Sequence, residues 1–475
     1  MGDPRDPTTT LEHGRQEAGR GAPRTLGPFL FRLLCADDLT QPPARYPLSA
    51  RTEADIGRGT GGKGLCVDLA DAFASARHAH LERGEGGWWA RDEGSRNGTA
   101  INGRRLDAGE QARLGDGDLI EIGHTFFLFR SKARGLSESL LEPKPGEEDP
   151  PTLCPEWEME LAKAARLSRT SHEILVEGES GAGKEVLARL LHDRSRRAGP
   201  LVSVNCAAMP EALFEDELFG HVRGAFSGAQ GEREGLIRAA GGGTLFLDEV
   251  GELTPGLQAK LLRVLEDHQV RPLGSEREVP VDVRVVAATN RSLQELAAQG
   301  KFRQDLLARL GLLSLRVPPL RERREDLGLL VRAVLRSGPR PPERIRFDLE
   351  ALRQVLRYGW PLNVRELRRA LLAAADLAAA DEGESVRISP HHLPQAVQHP
   401  EAASGAAPAA RPAQPAKADL TEAERELRDS VIDHLRQAKG NVSDVARRMG
   451  KGRTQIQRWI ARFGIDVDSL RWTRE

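Results

Sequence analysis

Two patterns of hydrophobic positions follow one another along this chain of 475 residues. From about residue 26 to 131, short apolar runs such as FLFRLL and TFFLFR alternate with glycine-rich turns, which is typical of a small all-β sandwich. From about 152 to 396, β-rich runs such as EILVEG alternate with helical stretches such as GLQAKLLRVLEDHQ, which predicts a parallel sheet with crossover helices. Residues 419–475 are predicted to be wholly helical, so the chain is predicted to be multidomain.

Two stretches lose all periodicity and fill with small, charged and proline residues. They read SKARGLSESLLEPKPGEEDPP and HPEAASGAAPAARPAQPAKAD. Such composition is typical of linkers, and no internal repeat is visible at solenoid or propeller periods.

Composition excludes few classes of function. The formal net charge of −1 gives no global field that would indicate nucleic acid or membrane as a partner. No run approaches the ~20 apolar residues of a membrane span, so a cytoplasmic protein with no membrane partner is expected. The four cysteines have no metal-ligand or paired spacing and are interpreted as reduced and structural: Cys35, Cys66, Cys154 and Cys206.

A glycine-rich stretch, GESGAGKE, follows the predicted strand EILVEG and precedes the helical stretch VLARLLHD. Strand, loop and helix in this order favour a phosphate-binding loop over a chance turn, because backbone N–H groups and the helix start can face phosphate oxygens. Lys184 is expected to reach the β- and γ-phosphates, and Glu185 stands where the general pattern has Ser or Thr. The candidate nucleotide-binding residues are Gly178, Glu179, Ser180, Gly181, Ala182, Gly183, Lys184 and Glu185.

Polar side chains end two further predicted strands of the same sheet. TLFLDE delivers Asp248 and Glu249 at its C-terminal end, where parallel sheets place their ligands. Asp248 is predicted to hold magnesium through water, and Glu249 to polarise the attacking water. VRVVAATN ends in Asn290, which suits sensing the γ-phosphate, with an ordinary turn residue as the alternative.

Six stretches then identify a family. The chain resembles the AAA+ ATPase domain of bacterial enhancer-binding proteins, the activators of sigma-54 RNA polymerase, over about half its length. The stretches are GESGAGKE, NCAAMPEALFEDELFGHVRGAFSGA, GGTLFLDEVGEL, FRQDLLARL, VPPLRERREDL and WPLNVREL. The family usually has a glutamate after the P-loop lysine, so Glu185 fits it, whereas Leu362 replaces a family glycine.

The resemblance implies catalytic roles for four polar residues. Asp248 and Glu249 match the Walker B pair, and Asn205 matches the asparagine that restrains the catalytic glutamate. Asn290 matches sensor I.

Three arginines also match family positions. Arg303 and Arg309 match arginines that reach the neighbouring subunit's nucleotide, and Arg365 matches sensor II, with solvated helix arginines as the alternative. A guanidinium that acts on an adjacent protomer makes hydrolysis depend on assembly. The resemblance therefore implies a homo-oligomeric ring, and hexamers are the family's usual form.

The stretch GAFSGA resembles the family's GAFTGA loop, which presses its aromatic ring and hydroxyl against sigma-54. An exposed phenylalanine between glycines is useful when a partner covers it, and a ring packed in its own core is the alternative. Serine replaces the family's threonine and keeps the hydroxyl. The implied sigma-54 contact residues are Gly224, Ala225, Phe226, Ser227, Gly228 and Ala229.

The final segment combines helical apolar spacing, a glycine-containing turn MGKGRT and a crowd of basic residues. It resembles the Fis-type helix-turn-helix, with residues 453–463 as the recognition helix, although a charged hairpin is often only solvated. The predicted DNA-binding residues are Arg453, Thr454, Gln455, Gln457 and Arg458.

The first segment carries IGRGT, SARHA, GSRNGTAING and LGDGDLIEIG, which resemble the forkhead-associated, or FHA, fold that binds phosphothreonine. Arg58, Ser75, Arg96 and Asn97 fall on the family's phosphopeptide-binding loops, and His78 matches a residue that braces them. Guanidinium and hydroxyl groups are preferred partners of a phosphate dianion. A scaffold that only packs is the alternative.

These resemblances imply a multidomain chain made of an all-β FHA sandwich, an α/β AAA+ P-loop ATPase with a helical lid and an all-α helix-turn-helix. The expected bounds are a disordered head at 1–25, the FHA domain at 26–131, a linker at 132–151, the α/β ATPase subdomain at 152–320, the lid at 321–396, a linker at 397–418 and the DNA-binding domain at 419–475.

The expected function is transcription activation. ATP with Mg²⁺ would drive remodelling of sigma-54 RNA polymerase from enhancer DNA, under control of a phosphothreonine-containing protein read by the FHA domain. Two alternatives belong to other classes, a chaperone or protease motor that selects phosphorylated clients and a DNA anchor with an inactive ATPase. Promoter opening that depends on sigma-54 separates the first from the activator, and steady-state ATP turnover separates the second.

Overall fold

The computed structural model of this chain divides into two compact units, residues 1–404 and 405–475. None of the described helices combines the length and the apolar character that a membrane span requires. The structure describes residues 24–59, 61, 64–107, 109–135, 138–143, 151–226, 229–382, 386–399, 430–431, 433–435, 437–438, 442–451 and 455.

Residues 24–135 form a β-sandwich, as the alternating pattern predicts. One sheet has the strand order β10-β7-β6-β4-β5, the other β3-β2-β12-β11-β8-β9, and β1 pairs with β13. The strands are β1 (Arg24–Leu26), β2 (Phe29–Cys35), β3 (Ala44–Pro47), β4 (Glu53–Gly57), β5 (Leu65–Asp68), β6 (Ala79–Gly84), β7 (Gly87–Asp92), β8 (Thr99–Ile101), β9 (Arg104–Arg105), β10 (Gln111–Arg113), β11 (Leu119–Ile122), β12 (Thr125–Arg130) and β13 (Ala133–Gly135).

The sandwich extends past the bounds expected from the sequence. Strand β1 begins at Arg24 and pairs with β13, which lies in the stretch predicted as a linker. Farther along that stretch, Leu141 forms an antiparallel bridge with Arg45 of β3. Both ends of the sandwich are therefore tied into it by backbone hydrogen bonds.

The second segment contains a five-stranded parallel sheet in the order β15-β16-β19-β14-β20. This confirms the predicted α/β fold, and it brings the carboxyl ends of β14, β16 and β19 to one edge, where such sheets bind ligands. The strands of this segment are β14 (Ile174–Glu177), β15 (Leu201–Asn205), β16 (Thr244–Asp248), β17 (Gln269–Val270), β18 (Val279–Pro280), β19 (Arg284–Thr289) and β20 (Ser314–Arg316).

Helices cover both faces of this sheet, and their ends follow local capping rules. Helix α5, for example, begins after Thr254, whose hydroxyl accepts a hydrogen bond from the N–H of Leu257, and proline occupies its first turn. The helices are α1 (Pro155–Leu167), α2 (Lys184–Asp193), α3 (Glu211–Phe219), α4 (Leu236–Ala239), α5 (Pro255–Asp267), α6 (Leu293–Ala298) and α7 (Gln304–Leu310).

A helical subdomain, here called the lid, follows at residues 320–399. Its long helix α10 carries small residues that pack closely on α8, and a two-stranded parallel pair closes its far side. The elements are α8 (Leu327–Arg336), β21 (Ile345–Phe347), α9 (Leu349–Arg357), α10 (Asn363–Glu382), β22 (Val386–Ile388) and α11 (Gln395–Gln398).

The β-sandwich and the lid share one hydrophobic core. All seven residues of β2 are buried, although a sheet strand that faces water on one side would alternate. Leu30 points into the sandwich, whereas Phe29, Phe31 and Leu33 pack in one cluster with lid residues such as Leu352. The sheet is therefore apolar on both faces.

The second unit is described only in part; most of its described residues are helical, with α12 at Val442–Arg448 followed by a turn at Met449 and Gly450. Of the predicted DNA-binding residues, Gln455 is helical and exposed. Arg453, Thr454, Gln457 and Arg458 lie outside the described residues, so the helix-turn-helix stays a prediction.

Replacing Phe31 by alanine is expected to lower the free energy of unfolding of the first unit by about 3–5 kcal/mol, because the fully buried ring fills the shared core. Urea denaturation measures the change. Leu377→Ala, on the exposed side of α10, is the matched control and is expected to cost less than about 0.5 kcal/mol. Equal losses in the two variants would contradict the packing described above.

Candidate functional site

The phosphate-binding loop lies between β14 and α2, as predicted. Gly181 and Gly183 have φ values of +73° and +112°, which glycine adopts at little cost. A Cβ on Gly183 would meet no atom within 4 Å, so the loop borders open space at the start of α2. The first N–H groups of α2 have no intrahelical acceptor, and they supply donors and partial positive charge for phosphate oxygens.

Lys184 and Glu249 form an ion pair at the centre of the site. The Lys184 ammonium lies 3.2 Å from the Glu249 carboxylate and donates to the Gly178 carbonyl at 3.0 Å. The lysine side chain is 6% exposed, so its charge requires a partner. In the partly buried site, the two side chains therefore neutralise each other's charge.

Glu249 is held in a conformation that non-glycine residues rarely adopt. Its φ is +55°, in the left-handed region, which costs on the order of 1–3 kcal/mol and is concentrated at functional sites. The backbone N–H of Asn290 donates to its carboxylate at 3.0 Å. Sequence reasoning expected the Asn290 side chain to act here, and the structure adds a main-chain contact from the same residue.

Asp248 lies half-buried beside Glu249. Burial raises the pKa of its carboxyl above the ordinary value, and the nearby Lys184 opposes this shift. Carboxylate oxygens are the ligands that Mg²⁺ prefers, so the residue fits the predicted metal role. Cys206 lies behind the pair with its thiol pKa raised to about 12, first by burial and then by Asp248, which fits the predicted structural role.

Asn205 is brought next to Asp248 by the register of β15 on β16. Its side-chain oxygen accepts a hydrogen bond from the N–H of Ala207 at 2.8 Å. The implied restraint on Glu249 is not among the contacts that the structure gives for Asn205, so that role stays a prediction.

The lid closes one side of the phosphate-binding loop. The Arg365 guanidinium donates to the Ser180 hydroxyl at 3.0 Å, which places the predicted sensor II arginine at the loop. The Asn363 amide donates to the Ser180 carbonyl at 3.1 Å, and the N–H of Val364 donates to the Gly181 carbonyl at 3.1 Å. A Cβ on Gly181 would approach the Leu362 carbonyl oxygen to 2.4 Å, so glycine is required there.

Two lid contacts were missed by sequence reasoning. Arg321 pairs with both carboxylate oxygens of Glu179 at 2.6 and 2.7 Å, and this contact lowers the Glu179 pKa. Arg323 donates to the Ala182 carbonyl at 2.7 Å. Both arginines lie in VPPLRERREDL, a stretch quoted for the family resemblance but not interpreted residue by residue.

The two arginines expected to act on a neighbouring subunit contact their own subdomain here. Arg303 precedes α7 and pairs with Asp305 at 2.7 Å. Arg309 lies 3.2 Å from the Glu173 carboxylate and donates to the Leu265 carbonyl at 3.0 Å. Both side chains are more than two-fifths exposed, so both are accessible to a second copy of the chain.

Backbone hydrogen bonds join the described residues on either side of Ser227 and Gly228 in the predicted sigma-54 loop. The N–H of Gly224 donates to the Ala229 carbonyl at 2.9 Å, and the N–H of Ala229 donates to the Phe226 carbonyl at 3.0 Å. Phe226 is 48% exposed and makes an edge-on ring contact with His221, with ring centroids 5.1 Å apart. This confirms the expected exposed ring; Ser227 and Gly228 lie outside the described residues.

The predicted phosphothreonine residues cluster at one end of the β-sandwich. The N–H of Arg58 donates to the Ser75 carbonyl at 2.9 Å, and the N–H of Arg96 donates to the Ser75 hydroxyl at 3.1 Å. The Asn97 amide donates to the Phe73 carbonyl at 2.7 Å. Three separate loops therefore meet around Ser75.

His78 holds these loops together, as its family match implies. It is fully buried, and its Nδ1 accepts a hydrogen bond from the Ser75 N–H at 3.0 Å. The proton therefore sits on Nε2, which donates to the Gly98 carbonyl at 3.1 Å. Arg58 and Arg96 remain exposed and able to meet a phosphate.

A different cluster superficially resembles a metal site. Asp381, His391 and His392 place three ligand atoms within 4.8 Å of one another. However, His392 Nδ1 accepts from the Ser389 N–H at 3.0 Å, so Nε2 must keep its proton and donate to Asp381. A metal ion would need that nitrogen's lone pair, and the cluster is better described as a cap at the lid's end.

Comparison with known proteins decides the family. Residues 154–316 match the model of the sigma-54 interaction domain, residues 55–123 that of the FHA domain, and residues 321–410 that of an AAA+ ATPase lid domain. The transcriptional regulatory protein GlrR of Escherichia coli is 39% identical over 315 residues, which are 66% of this chain and 67% of that relative. The chain belongs to the sigma-54-dependent transcriptional regulators.

A further relative and a solved structure are also similar to this chain. The nitric oxide reductase transcription regulator NorR1 of Cupriavidus necator is 44% identical over 313 residues, 62% of this chain and 60% of the relative. A crystal structure of NtrX from Brucella abortus in complex with ATP is 29% identical, covers 67% of this chain and 70% of its own, and has a TM-score of 0.48. The three family models make this sigma-54-dependent regulator an AAA+ ATPase with an FHA domain.

Replacing Glu249 by alanine is expected to lower the ATP turnover of this regulator by roughly 10²- to 10⁴-fold while nucleotide binding persists, because Glu249 is the only carboxylate paired with Lys184 among the described residues. Steady-state phosphate release and a fluorescent nucleotide titration measure the two quantities. Glu252→Ala, three residues farther on and paired with Arg291, is the control. Turnover that is equal in the two variants would remove Glu249 from the mechanism.

Proposed function

We propose that this regulator uses ATP hydrolysis to press Phe226 against sigma-54 and so to open polymerase–promoter complexes. The exposed ring carries the proposal. Phe226 is 48% exposed, and its exposed part offers apolar contact area to a partner. Residues 224–229 lie within the stretch that matches the sigma-54 interaction domain.

The chemistry of the site supports a switch between two states. In one of them, the Lys184 ammonium pairs with the Glu249 carboxylate at 3.2 Å. A γ-phosphate draws the ammonium away, and Glu249 is then free to polarise the attacking water. Asp248 would hold Mg²⁺, whose charge neutralises phosphate oxygens when it is bound. Asn290 orients Glu249 through its backbone N–H.

Hydrolysis is proposed to require a ring, with a hexamer as the expected form. Arg303 and Arg309 pair with carboxylates of their own subdomain, and both are exposed. Each can exchange its partner for the phosphates of a neighbouring protomer. A guanidinium there stabilises transition-state charge, which raises the rate of hydrolysis by ~10³-fold or more. Activity per subunit should therefore rise with protein concentration.

The Phe226→Ala variant is expected to lose roughly 30-fold or more of sigma-54-dependent promoter opening, the cost of removing an aromatic contact of about 2 kcal/mol. Its ATP turnover should stay close to that of the wild type, because the ring lies outside the nucleotide site. Permanganate footprinting of a melted promoter, with purified sigma-54 polymerase, reads out opening.

Leu213→Ala removes a comparably exposed apolar side chain from the same subdomain outside the predicted sigma-54 loop. It should open promoters at the wild-type level. Full opening by the Phe226→Ala variant would exclude the proposed contact and favour a motor with other clients.

The FHA domain is proposed to read a phosphothreonine-containing protein. Arg58 and Arg96 are exposed beside the Ser75 hydroxyl, and His78 fixes the loops that carry them. Guanidinium and hydroxyl groups together suit a phosphate dianion. Enhancer DNA is proposed as the ligand of the second unit on the basis of its basic sequence alone.

Arg58→Ala is expected to weaken binding of phosphothreonine peptides by roughly 10- to 100-fold. A charge-assisted hydrogen bond usually contributes about 1.5–3 kcal/mol to the binding free energy, which corresponds to this change in affinity. Fluorescence anisotropy with a degenerate phosphothreonine library measures it. Arg51→Ala, an equally exposed arginine that precedes β4, is the control. Equal affinities of the two variants would rule out Arg58 as the phosphate contact.

A further inference from the structure

The lid rests against the FHA domain at very close range. Helix α8 approaches β2 so closely that a Cβ on Gly328 would lie 2.2 Å from the backbone oxygen of Leu33. Nearby, the N–H of Phe347 donates to the Ala36 carbonyl at 2.8 Å, which is a main-chain hydrogen bond between the two domains. Close backbone approach of this kind requires glycine and leaves little freedom to slide.

Charged groups fix the orientation of the same contact. Arg353 of α9 pairs through two nitrogens with both carboxylate oxygens of Glu121 in β11, each at 2.7 Å. Glu121 is 8% exposed, so the geometry is bidentate and largely shielded from water. Arg332 of α8 donates to the Thr40 carbonyl at 3.1 Å. Apolar packing and directional bonds thus hold the lid to the FHA domain.

The FHA domain also contacts the α/β subdomain of the ATPase. Arg45 of β3 is fully buried, and it donates to the Leu153 carbonyl at 3.1 Å and to the Glu158 carboxylate of α1 at 2.8 Å. Strand β13 packs beside the start of α1, where a Cβ on Gly135 would lie 3.0 Å from Pro155. Both subdomains that enclose the nucleotide site therefore touch one rigid β-sandwich.

A cavity of about 580 Å³ lies where the three bodies meet. Its walls include Arg130 of the FHA domain, Cys154 at the start of α1, and Arg321 and Glu325 of the lid. Arg130 of the FHA domain pairs with Glu325 of the lid at the wall of this cavity, so the contacts around it help to set the angle of the lid.

We propose that the FHA domain acts as a clamp across the hinge, the junction between the α/β subdomain of the ATPase and its lid. The clamp holds the lid against the phosphate-binding loop and so sets the affinity for nucleotide. The lid reaches the loop through Arg365, Asn363 and Arg321, so any change of lid angle moves these groups relative to Ser180 and Glu179. Fixing the lid in place before nucleotide arrives lowers the ordering cost of binding.

A continuous set of contacts leads from the clamp to the FHA recognition loops. Phe73 stacks on His124 with ring centroids 3.7 Å apart, and His124 bonds to Asp37. Asp37 accepts from Arg387 of the lid at 3.4 Å. In parallel, the Asp71 carboxylate accepts from the N–H of Phe73 and from that of His124. That a phosphorylated ligand uses this route rests on the proposed function, whereas the clamp itself does not.

The test weakens the clamp in the full-length chain and measures affinity for a fluorescent ADP analogue. Gly328→Ala forces a methyl group against the Leu33 carbonyl, and Glu121→Gln removes one charge of the buried pair without changing shape. Hydrogen exchange of the Phe347 amide reports directly on the contact between the domains. Both variants should exchange faster there and bind nucleotide about fivefold more weakly or worse.

Two matched variants distinguish loss of the clamp from a non-specific loss of stability. Gly256→Ala makes the same change in α5, where its Cβ meets only an ordinary contact at 3.9 Å, and it should bind nucleotide normally. The double exchange Glu121→Arg with Arg353→Glu restores opposite charges and should recover affinity relative to Glu121→Arg alone.

Three outcomes would overturn the clamp. One is faster Phe347 exchange with unchanged nucleotide affinity, another is unchanged exchange in every variant, and the third is an equal loss of affinity in Gly256→Ala. If Gly328→Ala does not fold, Glu121→Gln and the charge exchange carry the test. Phosphopeptide binding enters none of these measurements, so failure of the clamp and failure of phosphothreonine reading remain distinguishable.

Discussion

Strand β2 has no face left for water, and the arrangement of the first unit depends on that constraint. Leu30 packs inside the FHA sandwich, whereas Phe29, Phe31, Leu33 and Leu34 pack in the core shared with the lid. Separating the FHA domain from the lid would expose these four apolar side chains to water. The glycine at position 328 allows the helix to come close enough to cover that surface.

This packing changes how a modular regulator can work. An input domain on a flexible tether would affect the ATPase only through its high local concentration. An input domain docked on the ATPase affects it by fixing the position of the lid. The contacts run from the FHA loops through the shared core to the lid, and from the lid through Arg365 to the phosphate-binding loop. There the Lys184 ammonium pairs with the Glu249 carboxylate. The lid therefore contacts both the FHA domain and the phosphate-binding loop.

The sequence predicted the FHA and AAA+ folds and where several candidate residues lie in them, because those depend on local patterns. Strand–loop–helix order placed Lys184, and a run of apolar residues ending in carboxylates placed Glu249. The docking of the FHA domain was not predicted, since the pattern FLFRLL is compatible with either one or two buried faces. The intramolecular partners of Arg309 were also not predicted, because they lie at distant points of the chain that only the fold brings together.

The most direct measurement is native-state hydrogen exchange of the unmodified protein across mild denaturant concentrations. If the FHA domain and the lid are one cooperative body, the amides of β2 and β12 should open with the same free energy as those of α8 and α9. Opening of the lid helices at markedly lower free energy, with β2 still protected, would contradict the account, because the FHA domain could then no longer hold the hinge.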